Sequence, residues 1–398
     1  MTRRQTNLLI VLIGSIAALG PFTIDMYLPA FPGIAKYFGT DEKHVAYTLT
    51  SFFVGISLGQ LIYGPLLDRF GRKIPLLSGL SLYLMASLAC ASAPSLTALI
   101  GFRFIQALGS SVGMVAGSAI IRDLFDTRDV AKMLSSVILV MGAAPIIAPS
   151  LGSFVIHHLG WQAIFVFLAI VSALIILGLY FFLHAGKGPD PSFEFKPAYI
   201  FRKYWNTLKQ TDFLLYSVSG SIAMSMLFAY ISTIPFVLMS IYQVSEAAFG
   251  WLFGLNAFGF ILGSQVNRYA LRRFDLIPLT VAVALFSVII GIVLLVMATF
   301  FSLSLELFCI LIFQVLFSLG IVNPNTTALS LDKISVNVGL ATALNGSLRM
   351  GIAAVVSGIA GSMYNGTVFP LLIMLLTLSL LSLISLVAAK NHATPRIR

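Results

Sequence analysis

The sequence predicts an all-α membrane protein with 12 transmembrane helices in two pseudo-symmetric six-helix bundles. Three observations lead to this fold class: the composition, the number of long apolar runs and an internal repeat. Of the 398 residues, 59% are hydrophobic and only 10% are charged, and the mean hydropathy is +0.99. A soluble protein of this size needs more polar surface, so we expect the chain to cross a membrane many times.

Each apolar run is long enough to cross a bilayer, which takes about 20 residues per helix. The twelve predicted spans are 7–30, 44–66, 74–93, 97–120, 133–156, 162–183, 213–238, 248–267, 276–299, 305–324, 337–360 and 367–388. Proline and glycine are frequent inside these runs, as membrane helices tolerate. The first run is too long for the apolar region of a signal peptide, so we interpret it as the first membrane helix.

Lysine and arginine residues are concentrated on one side of the predicted membrane. With the N-terminus placed in the cytoplasm, the opposite side holds only Lys36 and Lys43. This bias predicts that both termini are cytoplasmic. The net charge of +10 then reflects topology and contact with anionic headgroups, and nucleic-acid binding is not expected.

An internal repeat divides the chain. The polar connection 184–212 is predicted to separate an N-terminal bundle, 1–183, from a C-terminal bundle, 213–398. The stretch "GPLLDRFGRK" at 64–73 recurs as "GSQVNRYALRR" at 263–273, an offset of 199 residues. The matched pairs are Gly55 with Gly254, Gly64 with Gly263, Asp68 with Asn267, and Arg69 with Arg268. Two parallel six-helix halves are one of the repeat patterns of secondary transporters.

The stretch "GPLLDRFGRK" resembles the signature that the major facilitator superfamily carries between helices two and three. The resemblance implies a charged cytoplasmic gate that also uses an acid at the inner end of helix four. The gate residues are then Gly64, Asp68, Arg69, Gly71, Arg72 and Asp123. A plain positively charged loop is the alternative, although it would need neither the aspartate nor the glycines. In the second half Asn267 replaces the acid, so a weaker latch is expected there.

Two further helices carry motifs of the same superfamily. Helix four, "GFRFIQALGSSVGMVAG", resembles its Arg-x-x-Gln-Gly motif, with Arg103 and Gln106 matching. An arginine at membrane depth needs a polar partner or a watery cavity, and locking helices together through carbonyl groups is the alternative role. Helix five, "GAAPIIAPSLGS", resembles the antiporter motif. Its Pro145, Pro149 and Gly152 are expected to bend the helix and to form a hinge or seal.

The first helix ends in "IDMYLPAFP", which resembles drug:proton antiporters of the bicyclomycin-resistance (Bcr/CflA) type. The pieces "GQLIYGP", "APSLGS" and "LN", together with Arg349, point the same way. The resemblance implies a bacterial inner membrane location and assigns proton coupling to Asp25, with Arg103 nearby. Two other roles stay open for Asp25: it caps a helix end near the outer interface, or it pairs permanently with Arg103.

The substrate cavity is expected between the two halves near the membrane midplane. Its predicted polar residues are Tyr27, Gln60, Gln106, Asn256 and Arg349, in addition to Arg103. The predicted apolar wall comprises Met114, Met224, Met226, Phe228 and Tyr230. For any single one of these methionines or phenylalanines, ordinary core packing is the more common role.

The predicted function is proton-coupled secondary transport that exports small, mostly hydrophobic drugs or toxic metabolites by alternating access. A metabolite exporter or symporter on the same fold is the alternative. No phosphate-binding loop and no catalytic constellation occur in the sequence, so neither ATP hydrolysis nor enzymatic activity is expected. We expect no cofactor and no metal, and interpret Cys90 and Cys309 as packed thiols. The expected partners are a small-molecule substrate, protons and the lipid bilayer, and the chain is expected to be a monomer.

Overall fold

The computed structural model describes residues 3–124, 144–183, 188–189, 196–334 and 338–392. Every regular element in these ranges is helical. They contain eleven helices that are long and apolar enough to cross a membrane, and a shorter apolar helix over Ala144–Leu159. That shorter helix belongs to the predicted fifth span, 133–156, whose first residues lie outside the described ranges.

The chain divides into two compact units, Met1–Arg202 and Lys203–Arg398. The membrane helices of the first unit and their connections are α1 (Arg3–Asp25), a 3-10 turn (Leu28–Ala30), α2 (Phe31–Phe38), α3 (Glu42–Val45), α4 (Tyr47–Phe70), α5 (Lys73–Ala91), α6 (Leu96–Leu124), α7 (Ala144–Leu159) and α8 (Gln162–Phe182). A further helix, α9 (Pro197–Leu208), lies inside the connection that was predicted at 184–212.

The second unit repeats this succession. Its membrane helices are α10 (Thr211–Pro235), which continues as a π-helical segment (Phe236–Ile241), α11 (Glu246–Ala270), α12 (Leu276–Phe300), α13 (Leu305–Leu331), α14 (Val338–Met363) and α15 (Phe369–His392). Several helices extend past the predicted runs, α13 by about two turns. Hydropathy detects only the apolar part of a helix, so polar ends were missed.

The packing inside each unit follows the same pattern, as the repeat predicts. In the first unit α1 packs on α6 and α8, α4 on α6, and α5 on α6 and α8. In the second unit α10 packs on α13 and α15, α11 on α13, and α12 on α13 and α15. Small residues allow the closest approach: a Cβ on Gly263 would collide with the carbonyl of Phe317, and one on Gly320 with the carbonyl of Phe260.

The first membrane helix ends earlier than predicted. The run 7–30 is interrupted, because α1 stops at Asp25 and the chain continues through the 3-10 turn into α2. Pro29 explains the position of the break: it has no N–H to donate to the carbonyl of Asp25, and its ring would clash with that carbonyl. Asp25 is therefore the last residue of α1, at the point where the α-helix gives way to a 3-10 turn.

Candidate functional site

Arg103 of α6 is fully buried and is surrounded by aromatic rings from three other parts of the first unit. Its guanidinium carbon lies 4.6 Å from the ring centre of Tyr27, 4.3 Å from that of Phe52 and 5.7 Å from that of Phe165. A desolvated cation over an aromatic face is stabilised by about 2 kcal/mol or more. The rings therefore offset part of the cost of placing a guanidinium inside the membrane.

Gln106, one helical turn from Arg103, provides the strongest polar contact of the guanidinium. Arg103 Nη1 donates to Gln106 Oε1 at 2.7 Å, and Gln106 Nε2 donates to Ser87 Oγ of α5 at 2.8 Å. The carboxamide thus connects the cation of α6 to α5. Both residues predicted from the helix-four motif lie in one network.

The same network reaches the end of α1. Arg103 Nη1 and Nη2 donate to the carbonyl of Thr23 at 3.5 Å, and the hydroxyl of Thr23 lies 2.6 Å from that of Tyr83. Tyr27 is fully buried and its hydroxyl lies 3.0 Å from Thr48 Oγ1. Arg103 Nε has no partner among the described residues. The site therefore retains one unused donor next to aromatic faces and hydroxyl groups.

Asp25 is buried, with 3% of the residue exposed. Within the described part of the chain its carboxylate has no ion-pair or hydrogen-bond partner. Arg103 contacts Thr23 and Tyr27, which are four residues apart, whereas Asp25 lies two residues from each. At about 100° per residue, positions 23 and 27 share a face that position 25 does not. The structure contains no Asp25–Arg103 ion pair, and this geometry therefore does not support a permanent pair between the two residues.

The helix with the antiporter-like motif packs directly behind Asp25. A Cβ on Gly152 of α7 would collide with the carbonyl of Met26, the residue that follows Asp25. Any larger side chain at this position would push α7 away from the end of α1. Pro149 lies one turn before Gly152, and its carbonyl accepts a hydrogen bond from Ser153 Oγ at 3.0 Å. Pro145 lies in the same helix.

The predicted cytoplasmic gate residues come together around Arg72. Arg72 Nε donates to Asp123 Oδ2 at 2.7 Å, and Nη1 donates to Asp68 Oδ1 at 2.9 Å. Burial alone would lower the pKa of Arg72, but the hydrogen bonds to both carboxylates outweigh it and raise that pKa. Gly71 has a φ of 76°, a conformation that favours glycine. The gate thus joins the end of α4 and the start of α5 to the end of α6.

The two remaining predicted gate residues both lie in α4. Gly64 is half-buried in α4, and Arg69 lies in the last turn of that helix.

In the second unit a neutral side chain occupies the position that the repeat pairs with Asp68. Asn267, which the repeat pairs with Asp68, donates to Asn325 Oδ1 at 2.7 Å, and Asn325 Nδ2 donates back at 3.1 Å. Asn325 Nδ2 also donates to Thr280 Oγ1 at 3.0 Å. All three residues are buried. A reciprocal amide pair therefore joins α11, α13 and α12 where the first unit uses ions.

The other predicted cavity residues do not join the Arg103 network. Gln60 is buried in α4 and its Nε2 lies 3.6 Å from Met114 Sδ. In the second unit, Asn256 Nδ2 donates to the hydroxyl of Tyr230 at 3.2 Å, and its Oδ1 has no partner in the described ranges. Arg349 of α14 bonds to neutral groups of α13.

Arg349 donates to Asn323 Oδ1, and its Nη2 donates to Thr327 Oγ1 at 2.6 Å. Its Nε is left without a partner among the described residues. Among the described residues, the Arg349 guanidinium of the second unit therefore has no acidic partner.

A model of the Major Facilitator Superfamily matches residues 13–358 of the chain. The chain belongs to the major facilitator superfamily. The resemblance read from the helix motifs is therefore confirmed, and the protein is a multi-pass transporter of small molecules.

Two similar proteins are relatives from bacteria. The chain is 33% identical over 365 residues to the uncharacterized MFS-type transporter YdgK of Bacillus subtilis (strain 168), covering 90% of each chain. It is 29% identical over 375 residues to a bicyclomycin resistance protein homolog of Haemophilus influenzae, covering 93% of each. Among solved structures, a D-xylose-proton symporter matches with a TM-score of 0.72 at 14% identity, covering 96% of this chain and 97% of that one. At that identity the likeness concerns the fold alone.

Sequence reasoning missed most members of the Arg103 network in this facilitator. Phe52, Ser87 and Phe165 come from helices that carry no motif around these positions. One signal was available: Tyr83 and Ser87 are polar groups four residues apart in an apolar run, so they share one helix face. Asn323 and Thr327, the contacts of Arg349, show the same spacing.

Proposed function

We propose that this transporter exports small, mostly hydrophobic drugs or toxic metabolites in exchange for protons, by alternating access. The observation that carries the proposal is the buried Asp25 carboxyl, which ends α1 without a counter-charge in the described residues. An ionised carboxylate is costly in an apolar interior, and proton binding removes that cost. Exposure to water in another conformation would favour release of the proton.

Substrate and proton then compete for one region of the first unit. Arg103 and its aromatic and polar contacts lie on one face of the α1 end, and Asp25 lies on another face of the same end. A substrate that rearranges this end changes the surroundings of the carboxyl. The aromatic rings suit apolar compounds, and few polar contacts restrict which of them bind. The relative named for bicyclomycin resistance supports export of antibiotics.

The remaining components are assigned as follows. The Arg72 cluster closes the cytoplasmic side, and Gly152 holds α7 on the end of α1 as a hinge. Gln60, Asn256 and Arg349 are polar points of the substrate cavity. The transporter works as a monomer in the bacterial inner membrane, with both termini in the cytoplasm.

Inverted membrane vesicles test the coupling. The vesicle interior is first acidified, and a pH-sensitive dye then reports proton movement when a drug is added. Antiport predicts that adding substrate releases protons from wild-type vesicles. Asp25→Asn is expected to abolish this release and to remove resistance in an efflux-deficient bacterial host, while the protein still inserts and folds.

Asp41→Asn is the matched control, because Asp41 is exposed and pairs only with exposed Lys43 among the described residues. It should release protons like the wild type. Unchanged proton-driven export by Asp25→Asn would refute the coupling role. Proton uptake instead of release on adding substrate would favour the alternative, a symporter on the same fold.

A further inference from the structure

One face of the short helix α9 is exposed. Its Tyr204 is buried, whereas Phe201 is 67% and Trp205 is 50% exposed. Arg202 and Lys209 are exposed as well. Positions 201, 205 and 209 are spaced by four, so they follow one another along one side of the helix. Two aromatic rings and two cations therefore share the outward face.

Chain connectivity keeps this face close to the membrane. α9 ends at Leu208, and the membrane helix α10 begins at Thr211. Three residues span at most about 11 Å even when fully extended. Lys209 continues the turn, since its N–H donates to the carbonyl of Trp205 at 3.1 Å. The outward face thus lies within reach of the headgroup layer where α10 enters the bilayer.

The positive charge of α9 indicates which kind of membrane surface it would contact. The stretch 196–210 contains Lys196, Arg202, Lys203 and Lys209 and no acidic residue. The Lys209 ammonium lies 5.9 Å from the Trp205 ring centre, so cation and indole are neighbours. Tryptophan with lysine or arginine on one helix face is the combination that settles in the membrane interface, and a cluster of cations favours anionic lipids.

We propose that the outward face of α9, defined by Phe201, Arg202, Trp205 and Lys209, binds the headgroups of anionic phospholipids in the surrounding bilayer. The aromatic rings enter the interface, and the two cations contact lipid phosphate. The connection between the two halves of the transporter is thereby fixed at the membrane surface. This role is independent of the transported substrate and of proton coupling.

Selective fluorescence quenching tests the proposal. The chain has three tryptophans, so Trp161→Phe with Trp251→Phe leaves Trp205 as the only indole. This variant is reconstituted in nanodiscs of phosphatidylcholine with 20% phosphatidylglycerol, with bromine on one lipid or on the other at equal mole fraction. Quenching by the brominated phosphatidylglycerol is expected to exceed quenching by brominated phosphatidylcholine. Arg202→Gln or Lys209→Gln should each reduce that enrichment by up to about fivefold at low salt.

Lys36→Gln is the charge-matched control, because Lys36 is exposed and far from α9 in sequence; the preference should persist in it. Equal quenching by the two lipids, or none, overturns the proposal. Amide hydrogen exchange on the native tryptophan set gives a second measurement. Exchange over 197–208 is expected to be slower in nanodiscs with phosphatidylglycerol than in phosphatidylcholine alone, and equal exchange contradicts lipid binding.

Discussion

The two carboxylates on Arg72 are predicted to differ in their contribution to the gate. The distance between Arg72 Nε and Asp123 Oδ2 is 2.7 Å, and the two side chains are 10% and 17% exposed. Asp68 is 41% exposed on its side chain and forms an (i, i+4) pair. A partly buried hydrogen bond between charged groups contributes about 1.5–3 kcal/mol. An exposed (i, i+4) ion pair contributes about 0.3–0.5 kcal/mol.

Asp123→Asn is therefore expected to lower the free energy of unfolding at least about three times as much as Asp68→Asn. The assay is denaturation of the purified protein in mixed detergent micelles by added sodium dodecyl sulfate. A double-mutant cycle with Arg72→Gln isolates each pairwise energy from the other effects of the substitutions. The coupling of Arg72 with Asp123 should be about 1.5–3 kcal/mol.

The salt dependence of the two coupling energies gives a second test. At 1 M ionic strength the screening length falls to about 3 Å, which weakens exposed pairs most. The coupling of Asp68 should then vanish while most of the coupling of Asp123 remains. If Asp68 couples to Arg72 as strongly as Asp123 does, or if both couplings disappear in salt, the assignment of Asp123 as the main partner is wrong.

Three further predictions concern other contacts. Gly152→Ala should slow export and lower the melting temperature, because the added Cβ would meet the Met26 carbonyl. Gly101→Ala is the control and should be neutral or slightly stabilising, since the space around Gly101 is open. Equal effects of the two substitutions would argue against the contact between α7 and the end of α1. Asn267→Leu should destabilise by about 1–3 kcal/mol, and adding Asn325→Leu should recover most of it, which micelle denaturation can measure. Arg103→Lys should reduce drug export, because an ammonium cannot keep both the Gln106 bond and the planar aromatic contacts; wild-type export by this variant would contradict the site.

Much of the Arg72 cluster could be predicted from the sequence. Asp68 and Arg72 are four residues apart, so a helical end brings them together, and the family motif supplied Asp123. The end of α1 was missed, because the first span was predicted over 7–30 and the helix ends at Asp25. The available signal was Pro29, which stands four residues after Asp25 and removes the donor that would continue the helix. Helix α9 was missed because its twelve residues are too short for a membrane span, although the aromatic residues at 201, 204 and 205 repeat at helical spacing.

The aromatic surroundings of Arg103 could not be predicted. Tyr27, Phe52 and Phe165 are separated from it by 51 to 76 residues in the sequence. Each is one of 32 phenylalanines or 13 tyrosines with similar neighbours. Which rings meet the cation depends on how α1, α4 and α8 pack on α6. Local sequence patterns specify which residues lie in the same helical turn. They carry no information on how separate helices pack together.

The position of Asp25 gives the proposed coupling a physical route. A proton on Asp25 changes the charge at the last turn of α1, where Pro29 has already interrupted the backbone hydrogen bonds. The next residue, Met26, carries the carbonyl against which Gly152 of α7 packs. On the other side of the same turn, Thr23 and Tyr27 contact Arg103. A shift of this one turn would therefore reach α7 and the aromatic surroundings of Arg103 together, so that the proposed proton and substrate can influence each other without sharing a direct bond.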